Sequence, residues 1–594
     1  MKKELYWLIG LLAIVFAVMS PVLKNEFINW DDEVYITKNE VIKKTPFSNL
    51  DEIFTYKING FSVPLTLLSF QIEHYFFGLN PFPYHLNNLL LHLANVLLIY
   101  LFIKRLRIPH QLSVSEGKEP KTKSQKPVAL TYSSINYTAF FVALLFGIHP
   151  MNVESVAWAT ERKDLLYTLF ALLAIGYYQQ ATAQQTLRLT DKKYWFSLLF
   201  FLLSLLSKPQ AIFLPMILLL IDYLEDRKIK LQLIAEKIPY FVISLLGGLY
   251  LLINVGTKVS YLTRDYTFWE KLLFSFYQIG LYLTKFFFPF RLSNFYEYPI
   301  KVAGWYPVIF YITPLILVGL AIFIYWKFRN NKVVVFGVLF YLFNIFIFLQ
   351  VFSVNTAIAY ERFNYLAYTG LFFIVVVHLQ EVKFTDYLWV GTVAYLALLG
   401  FLSFERCKVW QNNTVFFADM AKKNPNDADA NKIALKNMGD ALMEKKQFIE
   451  AIEKFNQSLN RDARYEQAYL GRAFAYFQLG RYQEAINDYH QALLLELTPQ
   501  NRIEAIFNKG TCLMNLKMYE QAIIDFSLLI KASPANVPAY LNRAYCLLNL
   551  ARYEEAERDC RAVLQIEPNN AIANNQLQIL KQIKQKQVEG SRKN

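Results

Sequence analysis

Two adjacent carboxylates, Asp31 and Asp32, follow at once on the first apolar run of the chain (residues 5–23), within Asn29-Trp30-Asp31-Asp32-Glu33. The run is long enough to cross a bilayer, and Lys2 and Lys3 precede it, so the chain should emerge on the far side presenting both carboxylates. A carboxylate at the mouth of a membrane bundle is what an enzyme needs when a soluble acceptor must meet a substrate held in lipid. Later turns add more charge: His149 and Glu154, then Glu161-Arg162-Lys163-Asp164; Lys208 between two apolar runs; Tyr296-Glu297; and Glu361-Arg362. Charges near the hydrocarbon boundary are costly unless paired or functional, so these turns are expected to converge on one polar site.

Read singly, each residue has a bland explanation. Asp31-Asp32 suits a solvated, helix-capping turn. Lys208 could snorkel to headgroups, and Glu361-Arg362 could form an interfacial ion pair. His85 and His92, seven apart and so near one helical face, read as buried, hydrogen-bonded histidines. Glu154 and Arg162 are eight apart, too far for a pair across one helical turn. The argument for a site rests on the set.

The elements that must position these groups are apolar helices. The 594 residues are 55% hydrophobic, and the long apolar runs stop near residue 404. This predicts an all-α chain: a polytopic membrane helical bundle over 1–404, a helical repeat domain over 405–585 and a disordered tail over 586–594. The expected spans are 5–23, 84–103, 137–148 with a few flanking residues, 164–180, 194–206, 209–224, 239–256, 305–326, 333–353, 363–380 and 386–404, eleven in all. The run 271–290 is read as interfacial or re-entrant, because that keeps the basic loops 104–136, 181–193, 225–237 and 327–332 on one side. The repeats then share the outer side with Asp31. Net charge of +14 is assigned to those loops rather than to nucleic-acid binding: residues 104–126 hold seven Lys or Arg against two Glu. The four cysteines have no metal-like spacing, and Cys546 and Cys560 read as small core residues.

Beyond 404, Gly439, Ala473, Gly510 and Ala544 recur at spacings of 34, 37 and 34. Twelve residues after each stands an alanine (Ala451, Ala485, Ala522, Ala556), and four further on stand Phe455, Tyr489, Phe526 and Cys560. Pro425, Pro534 and Pro568 are expected to close helices. Small residues let the two helices of a hairpin approach, and the bulky ones fill the gap between hairpins. This is the tetratricopeptide pattern, about four repeats forming an α-solenoid, with QLQILKQIKQKQ as a capping helix. Such a stack offers a groove for an extended peptide.

The order NWDDEVYITKNEVI, PLTLLSF with FGLNPFPYHLNNLLLH, LLFGIHPMNVESVAWATERKDLLYTLF, LSLLSKPQAIFLP and AYERFNYL, followed by repeats, resembles the transmembrane and tetratricopeptide-repeat-containing O-mannosyltransferases. These are C-type integral-membrane glycosyltransferases, and the chain looks like a bacterial-type relative. It departs from the animal pattern at Glu161-Arg162-Lys163-Asp164, where those members tend to have Gly-Arg-Ala-Asp, and at Pro209 after Lys208. The resemblance implies a polyprenyl-phosphate sugar donor (mannose or another hexose), Ser or Thr hydroxyls of exported proteins as acceptors, and inversion at the anomeric carbon. It implies Asp32 or Asp31 as general base, Asp32 slightly favoured. Arg162, Lys208 and Arg362 would face the leaving phosphate, with Glu154, Asp164, Glu361 and His149 around the sugar or the cations. No metal and no cofactor are expected, since no Asp-x-Asp spacing is present. The site and repeats would lie on the outer face of the cytoplasmic membrane. The competing reading is a non-catalytic membrane scaffold whose repeats assemble envelope proteins.

Overall fold

The structure, a computed structural model, describes residues 2–58, 62–107, 132–183, 190–228, 230–255, 266–351, 357–380, 382, 385–424 and 428–591. Most of the basic loop expected at 104–136, part of that at 181–193, and Pro425 lie outside the described residues. The chain forms two compact units, Met1–Asp419 and Met420–Asn594. Among the described residues the regular elements are all helical, with no named strand and isolated β-bridges such as Tyr296 to Ala359 and Val302 to Trp305.

A helix stands at each expected span. Among the described residues five of them rather than eleven (Lys3–Lys24, Pro81–Arg105, Leu231–Ile253, Ile309–Phe328 and Asp386–Val409) are long and apolar enough to cross a membrane. Ile135–Ile148 with Pro150–Ala157 makes a sixth if the pair, bent by 58°, is one broken span. Pro209–Leu224, Lys332–Phe348 and Tyr368–Leu379 are apolar but shorter. The last two are cut short by 3-10 turns at Phe346–Phe348 and Glu361–Asn364, so the stretches expected over 333–353 and 363–380 are only partly α-helical. The run 271–290 lies mostly in a continuous helix, Phe268–Phe287, started by a capping box between Thr267 and Glu270. Helices Lys332–Ile345 and Tyr368–Leu379 touch through Gly337 and Gly370. A Cβ on either glycine would meet the other's carbonyl oxygen at 2.5 Å, so only glycine permits this crossing.

The helix Pro81–Arg105 explains the FGLNPFPYHLNNLLLH stretch. Asn80 caps it and Pro81 supplies a preset first turn. His85, Asn88, His92 and Asn95 then fall on one buried stripe at helical spacing. The Asn88 amide donates to the carbonyls of Trp158 (3.1 Å) and Ala159 (3.3 Å), and Asn95 donates to Leu165 O (3.1 Å). His92 bonds Tyr365 Oη at 2.7 Å and Gly147 O at 3.0 Å. The stripe therefore holds the backbone of the charged second loop, and His92 is a buried, hydrogen-bonded histidine as expected.

In the second unit, four helical hairpins (428–461, 466–493, 499–532 and 537–566) precede a final helix, Ala571–Ser591. The small residues are where the spacing placed them: Ala451, Ala473, Ala485, Ala522, Ala544 and Ala556 are all fully buried. Phe455 and Phe526 are fully buried as well, as is Cys560. The four cysteines are buried and free. The final helix continues through 586–591, which the sequence suggested to be disordered, because the apolar period of QLQILKQIKQKQ runs on toward Val588; 592–594 lie outside the described residues.

Candidate active site

The first helix, Lys2–Met19, ends in a 3-10 turn at Ser20–Lys24, and the chain then runs extended into Asn29. The two adjacent aspartates part company here. Asp32 is buried. Its carboxylate accepts Ile28 N at 2.8 Å and Thr160 N at 3.0 Å, and the Thr160 hydroxyl donates to it too. It fastens the first loop to the second. Burial pushes its carboxyl up to about 7, against the pull of those three donors. The Asp31 side chain is 24% exposed, and its Oδ2 is 3.8 Å from Lys163 Nζ. Desolvation raises Asp31 above the ordinary aspartate value, while Lys163 and Arg362 favour its charged form.

From Asp31 the charges form a chain. Lys163 Nζ lies 3.1 Å from Glu161 and 4.7 Å from the centre of the Tyr35 ring. Glu161 is fully buried, which alone would raise its carboxyl. Lys163, Arg362 and Lys208 together hold it well below the usual carboxylate range. Arg362 Nε approaches Glu161 at 3.3 Å, and its Nη1 pairs with Glu154, which also accepts Arg362 N at 3.2 Å. The Arg362 guanidinium is 4.0 Å from the Tyr360 ring and 5.3 Å from the Trp158 ring. Lys208 pairs with Asp164, which accepts Ser155 Oγ at 3.3 Å, and Lys208 Nζ is 5.3 Å from the Phe348 ring. Asp31, Glu154, Asp164, Lys208 and Arg362 thus come together from four separate loops.

Three expected members do not join. Arg162 is buried on the other side of the helix start. It pairs with Glu73, donates to Asn88 Oδ1 at 2.9 Å and Tyr84 O at 2.8 Å, and lies 4.6 Å from the Phe70 ring. All its reach goes to these partners, so the cation offered by this motif is Lys163. Successive residues of a helix point about 100° apart, which separates 162 from 163. The available signal was Glu73, a lone acid in the apolar stretch PLTLLSFQIEHYFF. Glu361 is buried against Arg406 (3.2 Å) and Tyr296 Oη (3.1 Å), and so buttresses the turn that carries Arg362. His149 is buried, bonds Phe286 O at 3.2 Å and accepts Met151 N at 3.3 Å, which makes it the hinge of the bent helix pair. Among the described residues no group of three or more His, Cys, Asp or Glu side chains is arranged to hold a metal ion.

The tetratricopeptide repeat family matches residues 466–496, 503–536 and 537–570. The chain is 36% identical over 118 residues to "Protein O-mannosyl-transferase Tmtc3" of Drosophila melanogaster, covering 20% of this chain and 12% of that protein. It is 27% identical over 242 residues to "Protein O-mannosyl-transferase TMTC4" of Homo sapiens, covering 39% of this chain and 30% of that protein. The matches therefore span less than a third of those relatives' length. Among solved structures it is similar to YrrB, described as "a TPR protein with an unusual peptide-binding site", at 21% identity and a TM-score of 0.26, covering 28% of this chain and 84% of that one. The chain carries tetratricopeptide repeats over 466–496 and 503–570 and helices of membrane-spanning length, and it is similar over part of its sequence to the protein O-mannosyl-transferases.

Proposed function

We propose that the chain is an integral-membrane glycosyltransferase that moves a hexose, by analogy mannose, from a polyprenyl-phosphate donor to Ser or Thr hydroxyls of exported proteins. The observation that supports this most directly is the meeting of Asp31 with Lys163, Glu161, Arg362 and Glu154 in a largely buried cluster, built from loops far apart in sequence. A scaffold gains nothing from burying five charges whose desolvation is costly.

Asp31 is the general base in this reading, and Asp32 is its anchor. The acceptor hydroxyl gives its proton to Asp31 as its oxygen bonds to the anomeric carbon. On the opposite face the bond from that carbon to the phosphate oxygen breaks, and the lipid phosphate leaves with the electron pair, so the centre inverts. Arg362 and Lys208 stabilise the charge growing on the phosphate; a guanidinium suits two phosphate oxygens at once. Glu154 and Asp164 hold those two cations in place. Lys163 keeps Asp31 in its charged, basic form. The reaction needs no metal in this scheme.

The basic loops on one side of the expected topology favour an outer-face site. The repeats would recruit the protein acceptor and raise its local concentration. The test is glycan mass spectrometry of exported proteins from the native host, comparing wild type with Asp31→Asn. Loss of a Ser- or Thr-linked hexose, with the variant still present in the membrane, supports transfer. Persistence of every glycopeptide, with repeat-bound partners intact, would favour the scaffold.

A further inference from the structure

The apolar runs end near 404, yet the helix Asp386–Val409 passes that point without a break and the first unit extends to Asp419. The residues that follow the membrane-length stretch are as buried as a core: Trp410 is 1% exposed and Phe417 fully buried. They touch the loops of the polar cluster at three places, each close in sequence to a group with a chemical role.

The first is the Asp31 loop. Asn29 N donates to Asn413 Oδ1 at 2.6 Å and Glu26 N donates to Gln411 O at 2.8 Å. Trp30 stacks on Phe417 with ring centres 6.1 Å apart and meets Phe416 edge-on at 6.2 Å. The second is the loop before Glu161, where Trp410 stacks on Trp158 at 5.3 Å, and Trp158 is one of the rings over which Arg362 lies. The third is the turn carrying Arg362, where Arg406 reaches Glu361 at 3.2 Å and, with its other nitrogen, Asp419 at 3.3 Å.

We infer that the segment Arg406–Asp419 is a strap that completes the site, and that Asn413 is a positioning residue which fixes Asp31 by holding the backbone two residues before it. This rests on Asp31 as the base, as set out above. The Asp31 turn has little regular structure of its own: a short bend, then one π-helical turn at Glu33–Thr37. Asp32 ties it to Thr160 on one side, and the strap holds it on the other. A base displaced by about an ångström loses much of the advantage of prealignment.

The test uses the full-length protein in nanodiscs, with hydrogen–deuterium exchange over residues 26–33 as the first readout. Asn413→Ala removes the acceptor for Asn29 N–H, and exchange there should speed up at least tenfold while the helix Pro81–Arg105 is unchanged. Asn413→Asp keeps an acceptor oxygen in a first-turn position that tolerates an acid, and should restore protection. Unchanged exchange in Asn413→Ala, or equal loss in Asn413→Asp, would overturn the strap. If Asn413→Ala does not accumulate, Trp30→Leu is read in the same way. The second readout is transfer from polyprenyl-phosphate mannose to a serine-containing peptide. In Asn413→Ala, kcat should fall about tenfold with the KM for the lipid donor unchanged. Wild-type kcat would remove the positioning role. A wild-type protein that transfers nothing would count against the proposed function, and the exchange result would still decide the strap.

Discussion

Asp31 and Asp32, neighbours in sequence, have opposite surroundings: Asp32 is fastened to Thr160 and Ile28 and closed off, while Asp31 is partly open and faces Lys163 across 3.8 Å. The two substitutions should therefore fail differently. Asp31→Asn removes the base with little change in shape, so transfer should drop at least a hundredfold while the protein stays folded and still binds the lipid donor. Asp32→Asn turns one accepting oxygen into a donor against Thr160 or Ile28 N–H, at a cost of about 1–3 kcal/mol. Its loss should show as a lower melting temperature in detergent and faster exchange at 26–33. Equal catalytic loss with equal stability in both variants would refute the division of roles.

The charge beside Asp31 sets the pH at which it works. A general base must be ionised, so activity falls as pH drops through its pKa. Because desolvation raises Asp31, the acid limb should lie above the ordinary aspartate value of 3.8. Lys163 opposes that rise. Lys163→Met removes the favourable charge, so the limb should move to higher pH while the plateau at alkaline pH changes less. Glu161 is held well below the usual carboxylate range by Lys163, Arg362 and Lys208 together, so in wild type it stays the charged partner beside Asp31. A limb that moves to lower pH in Lys163→Met would contradict this account.

Arg162 and Arg362 separate in the same way as the two aspartates. Arg162→Ala strands Glu73 in a buried position, and breaking such a pair costs about 3–5 kcal/mol. The variant should be scarce or unfolded, and replacing both members with apolar residues (Arg162→Met with Glu73→Leu) should recover much of the lost stability. Arg362→Lys keeps the charge but cannot satisfy Glu154 and Glu161 with a planar fork, so the donor KM should rise and kcat fall in folded protein. Chemical denaturation and steady-state kinetics on the same preparations distinguish the two patterns.

These pairs show where the sequence was readable and where it was not. Helix positions followed from apolar length, and the repeats followed from small and bulky residues at a fixed period, because both signals come from backbone geometry repeated many times. The charged turns were recognisable as a set. The facing of each residue within them was not, because Asp31, Glu161 and Arg362 lie in or beside π and 3-10 turns where the 3.6-residue period does not hold. The strap is hidden in the sequence for a different reason. A change of composition at 404 looks like a boundary, but Val409-Trp410 and Val415-Phe416-Phe417-Ala418 are apolar pieces too short to read as a span, and only their partners Trp158 and Trp30 give them meaning. The same is true in the repeats of the ion pairs Arg472–Asp488 (2.7 Å), Lys509–Asp525 (3.1 Å) and Arg543–Asp559 (2.7 Å). Each joins the residue before a small position (Ala473, Gly510 or Ala544) to the residue before Tyr489, Phe526 or Cys560, sixteen positions on.

The repeat packing supports a final prediction. The Phe455 ring sits between Gly439 of its own hairpin and Gly471 of the next, and a Cβ on either glycine would come within 2.6 Å of it. Gly471→Ala therefore cannot be absorbed as a mere gain in helix propensity. It forces the ring out of place, and overpacking of this kind costs about 1–3 kcal/mol. Adding Phe455→Leu to Gly471→Ala should return part of that loss, although Phe455→Leu alone destabilises by leaving a cavity. Exchange rates over 428–478 report both effects in the full chain. If the two substitutions simply add, the ring and the glycine are not coupled, and the tight fit of the Phe455 ring against Gly471 is refuted.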